Sequence, residues 1–142
     1  MSRAGYRLMQ EKDYSNPLEW EERLFFSAMK NQDLAWMTKG EFRDDKKPYG
    51  THPVFILRRI ERDTFKFCPC SSQSYNRGKA SYIRENARTA PNNLRVDRNS
   101  YILHFIVFNL TADSPLIDRM PLLGRVAEDD IEGYFYRNEV GK

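Results

Sequence analysis

The stretch 53-PVFILRRIERDTFKFCPC-70 decides the fold of this chain. It begins with an apolar run whose first residue is Pro53, and proline is tolerated at the first position of a strand. The charged triplet 61–63 has the composition of a tight turn. After it, Phe65 and Phe67 alternate with polar residues and therefore share one face of an extended segment. The pattern predicts a β-hairpin.

Composition places the chain among globular proteins with a strong preference for sheet. It has 142 residues, of which 40% are hydrophobic and 13% aromatic. Aromatic residues favour strands, and this length suffices for one domain with a core. No apolar run approaches the roughly 20 residues that a membrane span needs. The first fifteen residues lack the apolar segment of a secretory signal. We therefore expect no membrane association and a cytoplasmic location.

The segment 16–32 has the pattern of an N-terminal helix extension. Asn16 is a good N-cap, Pro17 suits the first helical position, and Glu19 stands at the capping-box position. Apolar residues then recur near helical spacing, which favours an amphipathic helix. They are Leu18, Leu24, Phe25, Ala28 and Met29.

The remaining residues predict a strand-rich domain over 33–142, and the polar residues 1–15 predict a flexible arm before the helix. The predicted elements are a short strand at 33–38, a long charged loop at 39–51, the hairpin, a polar and basic loop at 74–93 with a turn of helix or a short strand at 80–83, a long apolar strand at 100–110 and a short C-terminal helix at 125–138. Strands joined by unequal loops indicate a mainly β fold, either a small barrel or a strongly bent sheet.

The two cysteines are predicted to be ordinary core residues. Cys68 and Cys70 lie two apart on a strand, so they point to the same face and are poorly placed for a disulfide. A structural zinc site commonly uses four ligands, often from Cys-x2-Cys pairs. This chain offers one Cys-x-Cys and two histidines. We therefore expect no metal site and no cofactor.

Basic residues are concentrated in one part of the sequence. The net charge is only +3, but acids are scarce between 71 and 100, where Glu85 and Asp97 are the two present. A phosphate-bearing partner would be attracted to such a region. An ordinary solvated surface is the alternative. The basic residues of this part are Arg77, Lys79, Arg84, Arg88, Arg95 and Arg98.

Several segments, in their order along the chain, resemble the MazF/PemK (Kid) family of toxin endoribonucleases. The segment 33-DLAWM-37 resembles the opening strand of the family, 50-GTHPVFIL-57 resembles its Gly-x-Arg-Pro strand, and 66-KFCPCSSQS-74 resembles the strand that ends in proline and hydroxyl residues. The stretches 94–110 and 122–135 are similar to the later strand and to the closing segment of the family.

The resemblance covers about 33–135 and implies a fold, a substrate and partners. The implied fold is a small SH3-like β-barrel, to which this chain would add the N-terminal helix and the short C-terminal helix. The implied substrate is single-stranded RNA, cleaved without a metal ion. The implied partners are a second copy of the chain and a small acidic antitoxin protein.

The resemblance also implies a catalytic site. His52 stands where the family has an arginine before proline, Ser71 stands at a position where the family has a hydroxyl, and His104 falls near a later-strand arginine. A histidine can take or give a proton near neutral pH, and arginines and hydroxyls can hold a phosphate. The predicted substrate-binding residues are Ser72, Gln73, Arg58, Arg77 and Lys79.

Structural roles remain open for the same residues. His52 could hydrogen-bond within a loop, His104 is favoured as a core histidine, and Ser71 could satisfy backbone groups at the strand end. The leading hypothesis is thus a metal-independent endoribonuclease of a toxin–antitoxin type system. A non-catalytic barrel that binds a protein or a nucleic acid is the alternative, and an accessory domain of unrelated activity is the third.

Overall fold

The computed structural model of the chain describes residues 13–43, 49–73 and 81–133. Its described elements are β1 (Leu24–Lys30), α1 (Asn31–Met37), β2 (Thr51–Glu61), β3 (Thr64–Ser71), β4 (Tyr82–Ile83), β5 (Thr89–Ala90), β6 (Ser100–Ile102), β7 (Phe108–Thr111), β8 (Leu122–Val126) and β9 (Ile131–Glu132). Three short 3-10 turns cover Pro17–Glu19, Ile117–Arg119 and Glu128–Asp130.

The strands form one antiparallel sheet that curls into a half-barrel. Its order is β5-β8-β1-β2-β3-β6-β4-β9, and β7 pairs with β3 beside β6. The predicted mainly β class is therefore confirmed. Among the residues that the structure describes, no helix is long and apolar enough to cross a membrane.

The β2–β3 hairpin stands at the centre of the sheet and confirms the prediction from 53–70. Phe55 pairs with Cys68, and Ile56 pairs with Phe67. The strand β2 begins at Thr51, two residues before the predicted start at Pro53. The apolar runs are continuous because both faces of these strands are covered, as is usual for central strands buried on two sides.

Each face of the sheet carries a hydrophobic core. The first core contains Tyr14, Trp20, Leu24, Phe26, Met29, Leu34, Phe42, Val54, Ile56, Phe65, Phe67, Phe108, Leu110, Ile117 and Met120. The second core contains Phe25, Phe55, Leu57, Cys68, Cys70, Ile83, Ala87, Val96, Ile102, Val126 and Ile131. Neighbouring residues of the central strands thus enter different cores, as the period of two along a strand requires.

The helix predicted over 16–32 is wrong between its first turn and Lys30, because Leu24–Lys30 form β1. The side chain of Asn16 accepts a hydrogen bond from the Leu18 N–H at 3.0 Å, as the capping pattern indicated. The turn ends at Glu19, and the chain then enters β1 between β2 and β8. Burying a phenylalanine contributes about 1.5–3 kcal/mol, which exceeds differences in helix propensity. A strand buries Phe25 and Phe26 on opposite faces, whereas a helix has one buried stripe.

Residues 13–15 are the described part of the predicted arm, and Tyr14 is held in place there. Its ring is buried in the first core, and its hydroxyl donates to a Glu21 carboxylate oxygen at 3.0 Å. The indole N–H of Trp20 donates to the Tyr14 carbonyl at 2.9 Å. The expectation of a loose arm is therefore wrong at Tyr14, and residues 1–12 lie outside the described part.

The predicted strand at 33–38 is wrong, because this segment forms α1 and its C-terminal cap. Leu34 is buried on one side of the helix, and the Thr38 hydroxyl donates to its carbonyl at 2.7 Å. Lys39 and Gly40 have φ values of 54° and 86°, and the Gly40 N–H donates to Ala35 at 2.8 Å. This left-handed ending is typical of a helix C-terminus. The opening strand implied by the resemblance is therefore not formed by 33–37.

The predicted strand at 100–110 is interrupted by a turn over 103–107, which separates β6 from β7. The cause lies in β3. The Pro69 carbonyl accepts from the Leu103 N–H at 3.0 Å, so the proline nitrogen faces the same partner. Because proline has no N–H to donate, the ladder cannot continue there, and the partner chain turns away before rejoining β3 at Phe108.

The predicted C-terminal helix is wrong for the described residues 125–133. They form the end of β8, a 3-10 turn and β9. Ile131 is buried in the second core and pairs with Ile83 on β4. Tertiary packing therefore holds this segment in an extended conformation, although its acidic residues are typical of the first turn of a helix. The rest of that prediction, 134–138, lies outside the described residues. The alternative of a short strand near 80–83 is confirmed by β4.

Candidate functional site

A cleft with a volume of about 660 Å³ opens on the side of the sheet that carries the second core. It is lined by residues of β1 and β8, by the start of β2, by Ser72 after β3, and by the segment 94–98. Phe25 and Val96 belong both to this lining and to the second core. The cleft is thus an opening at one end of a packed apolar face. Its volume lies in the usual range for sites that bind small molecules.

His52 lines the cleft and is fixed on two sides. It is the second residue of β2 and stands opposite Met29 of β1. Its Nδ1 lies 2.7 Å from the Asn31 Oδ1, within a hydrogen bond. Its ring meets the Phe42 ring edge to face, with centroids 4.9 Å apart. The half-buried imidazole therefore has a defined orientation in the cleft.

Asn31 is a polar residue that the sequence analysis did not select. It is the first residue of α1, is only 2% exposed, and lines the cleft. Its backbone N–H donates to the Gly50 carbonyl at 2.9 Å, which connects α1 to the residues before β2. The signal was hidden because Asn31 was predicted near the end of one helix, before a strand at 33–38, whereas it begins α1. On a helix, Asn31 shares a face with the buried Leu34 three residues later.

The segment 94–98 brings positive charge to the cleft. It lies against 86–89, and Arg95 forms a backbone bridge with Arg88. The Arg95 guanidinium donates to the Asn86 Oδ1 at 3.0 Å and lies 3.5 Å from the Asp97 carboxylate. Arg98 also lines the cleft and is exposed. Both arginines belong to the basic part of the sequence, but neither was selected as a binding residue.

The strand end at 71–73 contributes one hydroxyl to the cleft. Ser72 lines the cleft, whereas the neighbouring Ser71 is 6% exposed and lies outside that lining. The Ser71 Oγ accepts from the Gln73 N–H at 3.1 Å, which is a local bond at the end of β3. Gln73 is exposed. Of the predicted polar residues here, the structure thus places Ser72 in the same cleft as His52.

The other predicted site residues lie elsewhere. His104 sits in the turn between β6 and β7, half-buried, with its ring edge to face with Phe105 at 5.6 Å. Arg58 is an exposed residue of β2 opposite Lys66. Arg77 and Lys79 lie outside the described residues. The described part of the cleft therefore combines one histidine with Arg95 and Arg98.

The cysteines are buried in the second core and form no disulfide. Burial raises the pKa of the Cys68 thiol well above its ordinary value, and Cys70 adds to that rise. Burial likewise raises the pKa of Cys70. Both side chains therefore remain neutral thiols near pH 7. Within the described ranges, no group of three or more His, Cys, Asp or Glu side chains could hold a metal ion.

A comparison of the chain with models of protein families found no match, and comparisons with curated proteins and with solved structures found none either.

Proposed function

We propose that this protein is a metal-independent endoribonuclease and that the cleft is its active site. The observation that carries the proposal is the position of His52 in a cleft that Arg95 and Arg98 also line. An imidazole can move a proton near neutral pH, and guanidinium groups bind phosphate oxygens. The resemblance to the MazF/PemK family supports the same activity, and we propose an SH3-like barrel as the finer description of the half-barrel.

The chemistry needs few groups. His52 takes the proton of an RNA 2′-hydroxyl, whose oxygen then attacks the adjacent phosphorus. The bond from phosphorus to the 5′-oxygen breaks, and the imidazolium returns the proton to that oxygen. The products are a 2′,3′-cyclic phosphate and a 5′-hydroxyl. Arg98 stabilises the charge that develops on the phosphate oxygens. DNA lacks the 2′-hydroxyl and is not cleaved.

Arg98 suits the phosphate role better than Arg95 does. Arg95 is engaged by Asn86 and Asp97 on its own side of the cleft. Arg98 is exposed at the same cleft. The hydroxyl of Ser72 is a further donor at the strand end. A second copy of the chain and a small acidic antitoxin remain proposed partners, and an acidic segment would be attracted to the same two arginines.

Binding of single-stranded RNA without cleavage is the second candidate function. One observation favours it. The two histidines of the chain are not brought together, because His104 lies in the turn after β6, outside the described lining of the cleft. In the mechanism proposed above, His52 alone makes both proton transfers. If that ring fails to transfer protons, the cleft still provides a basic surface with an apolar side for RNA.

Cleavage of a long single-stranded RNA in EDTA tests the proposal. We expect the wild-type protein to cleave it to fragments with 2′,3′-cyclic phosphate ends, and His52→Ala to reduce the rate by at least about a hundredfold. His104→Ala is the matched control, because it removes the other histidine, and it should retain the wild-type rate. An intact RNA that still binds would establish the binding function instead. Equal losses in both histidine variants would contradict the cleft as the active site.

A further inference from the structure

We infer that Asn31 is a positioning residue, which holds the neutral His52 ring in the tautomer that carries its proton on Nδ1. Nε2 is then the proton acceptor of the ring. The inference deepens the proposed function and rests on it for its consequence in catalysis. Its starting point is the 2.7 Å contact between the Asn31 Oδ1 and the His52 Nδ1.

The chemistry of the two groups fixes the direction of that hydrogen bond. A side-chain amide oxygen can only accept, so Nδ1 must donate. A neutral imidazole carries one ring proton, and that proton is therefore on Nδ1. Nε2 keeps its lone pair, as a general base requires. The ring nitrogen that abstracts a proton is thus chosen by the partner of the other ring nitrogen.

The support behind Asn31 is rigid. The residue is 2% exposed, and its backbone N–H is bonded to the Gly50 carbonyl at 2.9 Å. Gly50 lies two residues before His52, so this bond places the first turn of α1 directly beside the start of β2. The hydrogen bond with the imidazole satisfies the amide oxygen in this buried setting, where an unsatisfied polar group is costly.

The second contact of the ring is anchored to the same helix. Phe42 packs edge to face against His52, and the Phe42 N–H donates to the Thr38 hydroxyl at 3.0 Å. That hydroxyl donates in turn to the Leu34 carbonyl inside α1 at 2.7 Å. One short helix and the residues that follow it therefore supply both the polar and the aromatic neighbour of the ring. This arrangement gives α1 a role beyond packing.

The charges around His52 allow a test in which a carboxylate replaces the uncharged amide of Asn31. Asn31 is uncharged, and the charged side chains in the described lining of the cleft are Arg95, Asp97 and Arg98. Lys30 precedes Asn31 and is exposed. Replacing the amide by a carboxylate of the same shape puts a negative charge against Nδ1. That charge favours the protonated ring.

The direct test is long-range proton–nitrogen NMR of the full chain with ¹⁵N-labelled histidine. The chain has two histidines, so His104→Gln assigns the spectrum. We expect the neutral His52 ring of the wild-type protein to be protonated on Nδ1. In Asn31→Asp, which preserves shape and the accepting oxygen, we expect the pKa of His52 to rise by about one unit or more. A wild-type ring protonated on Nε2, or an unchanged pKa in Asn31→Asp, would overturn the inference.

RNA cleavage supplies the second readout. Asn31→Ala should reduce the cleavage rate about ten- to a hundredfold, an effect of the size seen when a metal-bound histidine loses the partner that orients it. Asn31→Asp should recover the rate at a pH higher by the same amount as the pKa rises, and Asn31→Ala should not. If the wild-type protein leaves RNA intact, the proposed activity fails, while the NMR result still decides whether Asn31 sets the tautomer.

Discussion

The two faces of the sheet are built from the same strands but differ in their filling. The first core is rich in aromatic rings, with Phe67 stacked on Phe108 at 5.5 Å and Trp20 edge to face with Phe26 at 5.0 Å. The second core is filled mainly by aliphatic side chains and cysteines, and it opens into the cleft at Phe25. The first face packs aromatic rings against each other, whereas the second face combines packing at one end with the polar groups of the cleft at the other.

The largest expected effect is the loss of an aromatic ring from the first core. Phe67 is fully buried and contacts both Phe26 and Phe108. Phe67→Ala should lower the free energy of unfolding by about 3–5 kcal/mol, because it removes buried surface and leaves a cavity. Urea denaturation followed by circular dichroism measures this. The matched variant Phe105→Ala, at a 42% exposed position, should change stability little. Equal losses would contradict the packing role of the first core.

A smaller effect is expected where β8 passes close to β5. Gly124 has a φ of +142°, and a Cβ there would lie 2.4 Å from the Ala90 carbonyl oxygen. Gly124→Ala should therefore cost about 1–3 kcal/mol of stability through overpacking and backbone strain. Gly40→Ala is the control, since its Cβ would meet nothing within 4 Å although its φ is also positive. Thermal denaturation should show a clearly larger loss for Gly124→Ala than for Gly40→Ala.

Alkaline pH should weaken the second core before the first. The folded state raises the thiol pKa values of Cys68 and Cys70, so their stabilising contribution is complete below about pH 8.5 and decreases as pH rises above it. The expected loss is about 1.4 kcal/mol per pH unit for each thiol. Burial and the Glu21 hydrogen bond raise the pKa of Tyr14 to about 12, so its contribution is lost only above about pH 10.

Urea denaturation at a series of pH values measures this dependence. A Cys68→Ala/Cys70→Ala variant should lose the decline that begins near pH 8.5 and keep the later one from Tyr14. An unchanged slope in the double variant would show that the thiols are not responsible.

The smallest expected effect concerns binding at the cleft and leaves the folded state unchanged. Arg98→Ala should weaken RNA binding about five- to tenfold at low salt and reduce the salt dependence of binding, because one phosphate contact is lost. Arg58→Ala is the matched control on the exposed end of β2, and it should bind RNA as the wild-type protein does. Fluorescence anisotropy with a labelled RNA compares them. A greater loss of RNA binding with Arg58→Ala would show that RNA binds outside the cleft.

The parts of the fold that local pattern determines could be predicted from the sequence. The hairpin at 53–70 carries its own turn and its own apolar faces, and it forms as predicted. The segment 17–30 has a helical capping pattern and an apolar stripe at helical spacing. It nevertheless forms a strand beyond its first turn, because Phe25 and Phe26 pack into different cores. The break in the strand at 100–110 depends on Pro69, which lies in the neighbouring strand. Both departures from the prediction are caused by packing or pairing with residues that are distant in sequence.

The candidate site shows the same limit. His52 and Ser72 could be selected from the residues beside the hairpin, and the structure brings both to the cleft. Asn31 could not be selected, because its importance depends on α1, whereas the sequence predicted the end of one helix at 32 and a strand over 33–38. Arg95 and Arg98 were visible only as members of a basic region. Their place in the lining of the cleft depends on the backbone pairing of 94–96 with 86–89.

The most direct test of the central claim, that the cleft is the functional site, is a titration of ¹⁵N-labelled protein with a short single-stranded RNA, followed by amide shifts. We predict that the shifts concentrate at Asn31, His52 and Arg98, which line the cleft. The turn over 103–107 and the strand β7 should change little. Shifts concentrated at that turn, or no shifts even at high RNA concentration, would contradict the claim that the cleft is the functional site.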